Sequence, residues 1–228
     1  MKVPVWEKLQ KEITWYQIGE LSGKRILDFG IGNGMTADHY AKNNEVIAIE
    51  PDEEAIKNSF NKNIYIQLCG SIDKLYEFED NYFDVIFCHN VLEYADSRNK
   101  IVKEFSRILK KGGVLSVLKH NKPGRVMQMV VLLNNFAHAN ELLDGKNGNA
   151  EKYGSINYYD DNDISKWSDR LVVYKILGQR TFWDLQQNQD VQSDNEWQKK
   201  ILEIENRVAD IDEFKAVAFF HHIILKKI

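Results

Sequence analysis

Short runs of apolar residues alternate along this chain with stretches whose apolar positions recur three or four residues apart. Residues 4–21 show the second pattern, with Trp6, Leu9, Ile13 and Ile18 at helical spacing. A turn at Ser22-Gly23 leads to a strand-like run from Arg25 to Phe29. Gly30 to Gly34 break that run, and Met35 to Asn43 look helical. Val46 to Glu50 reads as a second strand, and Pro51-Asp52 opens a helix running to about Asn58. Ile64 to Leu68 is a third strand. Phe83 to Cys88 is a fourth, introduced by the loop Glu79-Asp80-Asn81. Ser97 to Leu109 predicts a helix with Ile101, Val102, Phe105, Ile108 and Leu109 on one face. Lys110 to Gly113 end it, and Val114 to Leu118 form a fifth strand. Apolar strands alternating with helices predict a mostly parallel α/β sheet covered on both faces.

After His120 the rhythm changes. We expect an insertion at about 121–155 that covers the active-site edge, with a helix-like stretch from Val126 to Asn134 and a polar segment from Asp144 to Asn149. Residues 160–169 suit a short helix, Leu171 to Leu177 a strand, and Ser193 to Val208 a charged amphipathic helix. Phe214 to Leu225 reads as a long closing strand. No repeat or linker divides the chain, so residues 1–228 are expected to form a single domain.

Composition narrows this little. A hydrophobic share of 43% and a charged share of 28% suit an ordinary soluble globular protein. No apolar run approaches the ~20 residues that span a bilayer. The start, MKVPVWEKLQKE, lacks the apolar core of a secretory signal. Cys69 and Cys88 both lie in strand-like runs without metal-ligand spacing. A reduced, cytoplasmic setting without membrane or metal is therefore the expectation. The net charge of -4 argues against a surface built wholly for nucleic acid, while leaving room for a local basic patch.

The chemistry concentrates in Asp28-Phe29-Gly30-Ile31-Gly32-Asn33-Gly34, between the first strand and the first helix after it. Glycines there permit backbone angles closed to other residues and let a ligand approach the main chain. Free N–H groups at the next helix start add positive potential. A dinucleotide fingerprint, G-x-G-x-x-G, would place its third glycine at position 35, which is Met35. The observed spacing instead resembles motif I of the class I S-adenosylmethionine-dependent methyltransferases. That resemblance implies a Rossmann-like, seven-stranded, mostly parallel sheet with helices on both faces and a C-terminal antiparallel hairpin. It also implies that Asp28 helps hold the amino group of the cofactor's methionine moiety, with Gly30, Gly32 and Gly34 in the same cofactor-binding turn. Glu50, ending the second strand, has the chemistry to accept hydrogen bonds from both ribose hydroxyls.

At the end of the third strand, the family's adenine-binding acid is replaced by Ser71. The main-chain N–H of Ile72, or Asp73, is the alternative adenine contact. Phe83 to Tyr94 resembles motif IV, which would set His89 and Asn90 near the transferred methyl, with His89 counted among both the cofactor and the catalytic residues. Leu109 to Leu115 resembles the family's turn into strand five.

Several pieces are similar to the tRNA 5-carboxymethoxyuridine methyltransferases, which esterify a carboxylate on a wobble uridine. They are His89 to Asp96; Asn121, Gly124, Met127, Met129 and Asn135-Phe136; Gly178 to Asp184; and Leu202 to Arg207. The family's lysine-rich run is replaced here by Leu142-Leu143-Asp144-Gly145-Lys146-Asn147. The methyl acceptor is thus expected to be tRNA or a small metabolite. A carboxylate acceptor needs no general base, and Arg180 and Arg207 are candidates to hold it through fork-shaped hydrogen bonds. An amine or hydroxyl acceptor would need a base, for which His89 is the candidate. A cofactor-binding protein without catalysis is a third reading. The oligomeric state stays open.

Overall fold

The computed structural model describes residues 3–150 and 154–228. Helix α1 (Val5–Ile18) opens the chain, followed by β1 (Arg25–Phe29), α2 (Met35–Ala41), β2 (Glu45–Glu50) and α3 (Glu53–Lys57). Next come β3 (Ile66–Cys69), α4 (Ile72–Leu75), β4 (Phe83–His89), α5 (Arg98–Ile108) and β5 (Leu109–His120). Helices α6 (Lys122–Val131) and α7 (Phe136–Leu143) precede two short strands, β6 (Gly148–Ala150) and β7 (Gly154–Ile156), which pair antiparallel. The chain ends with α8 (Asp163–Trp167), β8 (Leu171–Gln179), α9 (Asn195–Val208), α10 (Asp212–Lys215) and β9 (Phe220–Lys227).

Seven strands form one sheet in the order β3-β2-β1-β4-β5-β9-β8. Strand β1 runs parallel to β2 and β4, and β2 runs parallel to β3. The carboxyl ends of these four strands therefore share one edge, where ligands bind in such sheets. At the other side Ile228 N–H donates to Arg170 O at 3.0 Å and Phe219 N–H donates to Arg180 O at 3.3 Å. Opposite ends of the two segments meet, so β8 and β9 are the expected antiparallel pair. Successive residues Ile26 to Phe29 and Val85 to Cys88 are all buried, as a strand covered on both faces requires.

The chain packs as two compact units. One comprises Met1–Ile18, Leu118–Tyr159 and Ile176–His222; the other comprises Gly19–Val117, Asp160–Lys175 and Ile223–Ile228.

In the first unit, Leu9 and Ile13 pack on Trp183 beside Val5, Trp197, Ile201 and Leu202. Met129, Ala139 and Leu142 form a second cluster with Val126 and Tyr158. Asn121 fixes the start of α6 by donating from Nδ2 to Ala216 O at 3.0 Å and to Ala218 O at 2.8 Å. Gly124, on the same helix, must lack a side chain, because a Cβ would stand 2.1 Å from Ala218 O.

In the second unit, α3 is capped by Asp52, whose Oδ1 accepts from Glu54 N–H at 2.9 Å and Ala55 N–H at 3.3 Å. Near the chain's end Lys227 donates to Asn81 Oδ1 at 2.8 Å and to Leu109 O at 2.6 Å.

Several boundaries differ from expectation. The long strand expected from Phe214 begins only at Phe220, because Ile211 starts a short helix reinforced by the Lys215–Asp212 ion pair at 2.6 Å. The turn expected at Lys110–Gly113 is part of β5, with Gly112 at φ 75° providing the irregularity. The expected insertion holds α6, α7, β6 and β7, and its residues 151–153 lie outside the described residues.

Candidate active site

Eight of the sequence-predicted site residues, Asp28, Gly30, Gly32, Gly34, Glu50, Ser71, Ile72 and His89, lie in the second unit, at or just beyond the carboxyl ends of β1, β2, β3 and β4. Asp28 is buried near the end of β1, level with Ala48 of β2 and Phe87 of β4.

The three glycines that follow all have positive φ, at 83°, 55° and 78°, but for different reasons. At Gly30 a Cβ would strike Val91 Cγ2 at 2.3 Å. At Gly34 it would meet Tyr65 Oη at 2.7 Å and Phe60 O at 3.0 Å. At Gly32 nothing lies within 4 Å. The outer two glycines are thus demanded by the protein's own packing, while the middle one faces open space where a ligand can reach the main chain.

Glu50 spans the turn. Its Oε2 accepts from Gly32 N–H at 3.1 Å and its Oε1 accepts from Asp52 N–H at 3.3 Å. A carboxylate has about four lone-pair sites, so two contacts leave capacity for a pair of ribose hydroxyls. Ser71 is exposed and its N–H donates to Asp73 Oδ1 at 2.7 Å, which shapes the start of α4 at Ile72.

His89 ends β4. Its Nε2 meets Ser116 Oγ at 2.8 Å and its ring stacks on Phe87 with centroids 5.5 Å apart. Ser116, a buried residue of β5, therefore orients the histidine, a role that no motif marks. Asn90 follows at φ 57°, and its Oδ1 is buried without a hydrogen-bond partner.

Arg180 and Arg207 lie in the first unit. The fork that the sequence offers to an acceptor is engaged within the protein: Arg180 Nε donates to Asp184 Oδ2 at 2.8 Å, and a terminal nitrogen donates to Asp184 Oδ1 at 2.5 Å. Its other terminal nitrogen donates to Gln10 Oε1 at 2.8 Å. Arg180 is only 7% exposed and sits over the rings of Trp183, Phe219 and Phe220 at 5.1, 4.7 and 5.1 Å. Glu205, which sequence reasoning did not single out, accepts the N–H groups of Thr181, Phe182 and Trp183 at 2.8, 2.8 and 3.2 Å. Burial pushes its carboxyl above the usual range, against the pull of those three donors. Arg207 is exposed in the last turn of α9, where a cation suits the helix end.

Residues 27–117 match the family described as Methyltransferase domain. The match covers the glycine turn, Glu50, the segment at Ser71 and His89. The ubiquinone/menaquinone biosynthesis C-methyltransferase UbiE of Vibrio parahaemolyticus is 29% identical over 129 residues, 51% of this chain and 49% of that protein. The ubiquinone biosynthesis O-methyltransferase of Neisseria meningitidis is 27% identical over 121 residues, 49% of this chain and 51% of that protein. The chain thus spans about half the length of the curated relatives it matches. An S-adenosylmethionine-dependent methyltransferase from Mesorhizobium loti shares the fold over 98% of this chain and 100% of its own, with a TM-score of 0.62 at 11% identity. Among the described residues, no helix is long and apolar enough to cross a membrane, and no cluster of His, Cys, Asp and Glu suits a metal ion.

Proposed function

We propose that this chain is an S-adenosylmethionine-dependent methyltransferase. The observation that carries the reading is the turn from Asp28 to Gly34, open on its ligand side only at Gly32 and spanned by Glu50. The residues present fit the cofactor: main-chain N–H groups and Asp28 for the methionine end, Glu50 for the ribose, and the Ser71-Ile72 backbone for the adenine. When bound, the cofactor supplies an electrophilic methyl group on its sulfonium. The chain's own part is to bind, to align and to keep water out. For an amine or hydroxyl acceptor, His89, whose Nε2 meets Ser116 Oγ, is our candidate to take the proton; a carboxylate acceptor needs no base. The two relatives are named for methylation at carbon and at oxygen, so family membership leaves the acceptor atom open.

For the acceptor we infer a modified wobble uridine of tRNA. Support comes from the pieces that resemble that methyltransferase subfamily and from the segment Lys119–Arg125, which carries no acid and in which Lys122 and Arg125 are part-exposed while Lys119 is buried. In it Lys119 and Lys122 lie over the rings of Tyr159 and Tyr158 at 4.7 and 5.3 Å. A small metabolite is the second reading, favoured by the net charge of -4.

Calorimetry with S-adenosylhomocysteine and with NAD tests the cofactor: binding of the first alone is expected, and binding of NAD alone would overturn the enzyme class. Mass spectrometry of wobble nucleosides from cells lacking the gene tests the acceptor. Loss of one methylated nucleoside is expected, and an unchanged profile removes tRNA while leaving methyl transfer standing.

A further inference from the structure

Asn90 has one departure from ordinary chemistry: its buried Oδ1 accepts no hydrogen bond. Its backbone is left-handed, at φ 57°, a conformation that asparagine adopts readily and that fixes where the side chain leaves the end of β4. Buried amide oxygens are nearly always paired.

The place of Asn90 in the sheet says what kind of group is missing. It follows β4, which lies beside β1 on the side away from β2 and β3. Glu50 and Ser71, suited to ribose and adenine, lie on the β2 and β3 side. Asn90 is therefore on the flank of the glycine turn that would receive the other end of the cofactor. Contact with the turn is direct at the next residue, since Val91 fills the space that a Cβ on Gly30 would need. An amide oxygen selects a hydrogen-bond donor. At that end of the cofactor the donor is the α-ammonium, whose three N–H bonds suit several oxygens, and buried Asp28 supplies the countercharge.

We propose that Asn90 Oδ1 accepts a hydrogen bond from the cofactor's α-ammonium group. The proposal rests on the cofactor reading given above.

The test compares S-adenosylhomocysteine with 5′-methylthioadenosine, which keeps the adenine, ribose and thioether but lacks the amino-acid portion. Asn90→Gly retains the left-handed backbone and removes the acceptor. Its unfolding temperature should hold or rise, its affinity for S-adenosylhomocysteine should fall about tenfold or more, and its affinity for methylthioadenosine should stay. Asn90→Asp, which keeps an acceptor and adds charge, should bind S-adenosylhomocysteine at least as tightly as the native chain. Unchanged S-adenosylhomocysteine binding by Asn90→Gly overturns the proposal, as does equal weakening of both ligands. Weakening by Asn90→Asp to match Asn90→Gly would show the amide donating instead, and also overturns it. Failure of the native chain to bind either ligand would defeat the cofactor reading itself, and this proposal with it.

Discussion

At the residue scale, Arg180 is engaged by the protein itself. Its glycine-x-arginine-x-phenylalanine context invites a substrate role, yet its fork closes on Asp184 and Gln10 inside a shell of aromatic rings. Removing one partner of a buried ion pair strands the other charge, at a typical cost of ~3–5 kcal/mol. Arg180→Ala is therefore expected to lower the unfolding free energy by about that much in denaturant titration. A variant with native stability but no methyl transfer would return the arginine to the acceptor.

His222 makes a second residue-level prediction. Gln17 Nε2 donates to Gly178 O at 3.1 Å, which leaves Gln17 Oε1 to accept from His222 Nδ1 at 2.8 Å. Burial pushes this imidazole down to about 3. The folded chain thus stays neutral where the unfolded chain gains a proton near pH 6.5. The stabilisation is complete above pH 6.5 and is lost as pH falls toward 3, by ~1.4 kcal/mol per pH unit. Unfolding titrations between pH 7 and pH 4 should show a shallower decline for His222→Gln than for the native chain. Equal slopes would count against the assignment.

At the scale of elements, helix α6 is held by two devices that composition hides. Asn121 reaches two carbonyls, and Gly124 lets the helix backbone lie against Ala218. Gly124→Ala places a carbon against main-chain atoms that have no rotamer to escape into. Overpacking of this sort costs ~1–3 kcal/mol, so a lowered unfolding midpoint is expected despite alanine's better helix propensity. A raised midpoint would show that the contact yields. Element boundaries were legible where caps and periodicity agreed, as at Asp52 for α3 and along β4. They failed near Phe214, where main-chain bonds from Lys215 N–H to Ile211 O and from Ala216 N–H to Asp212 O close a helical turn, with the Asp212–Lys215 ion pair beside it. The apolar pattern there does not register those interactions.

For the whole molecule, cofactor binding and stability are linked. A ligand that binds only the folded chain stabilises it by ~2.7 kcal/mol at one hundred times its dissociation constant. For a chain of this length that corresponds to roughly 5–10 °C in the unfolding midpoint. S-adenosylhomocysteine is expected to produce such a rise, and methylthioadenosine a smaller one at equal concentration. No shift with either would contradict the site.

The sequence by itself determined the alternation of the first five strands with their main helices and the two closing strands, because apolar periodicity and turn residues are local properties; the short elements α4, α7, β6, β7 and α10 it did not mark. It also marked the glycine turn and Glu50, since the spacing of glycines and a carboxylate at a strand end is written in consecutive residues. Only the tertiary structure decided which glycine faces a ligand. Gly30 and Gly34 are closed by Val91 and by Phe60 and Tyr65, residues far along the chain, whereas Gly32 is open. It likewise gave Arg180 to Asp184, His89 to Ser116 and Glu205 to three backbone donors, and left Asn90 Oδ1 waiting for a partner. Hydrogen bonding and burial depend on neighbours that folding brings together, and neither is legible from residue spacing.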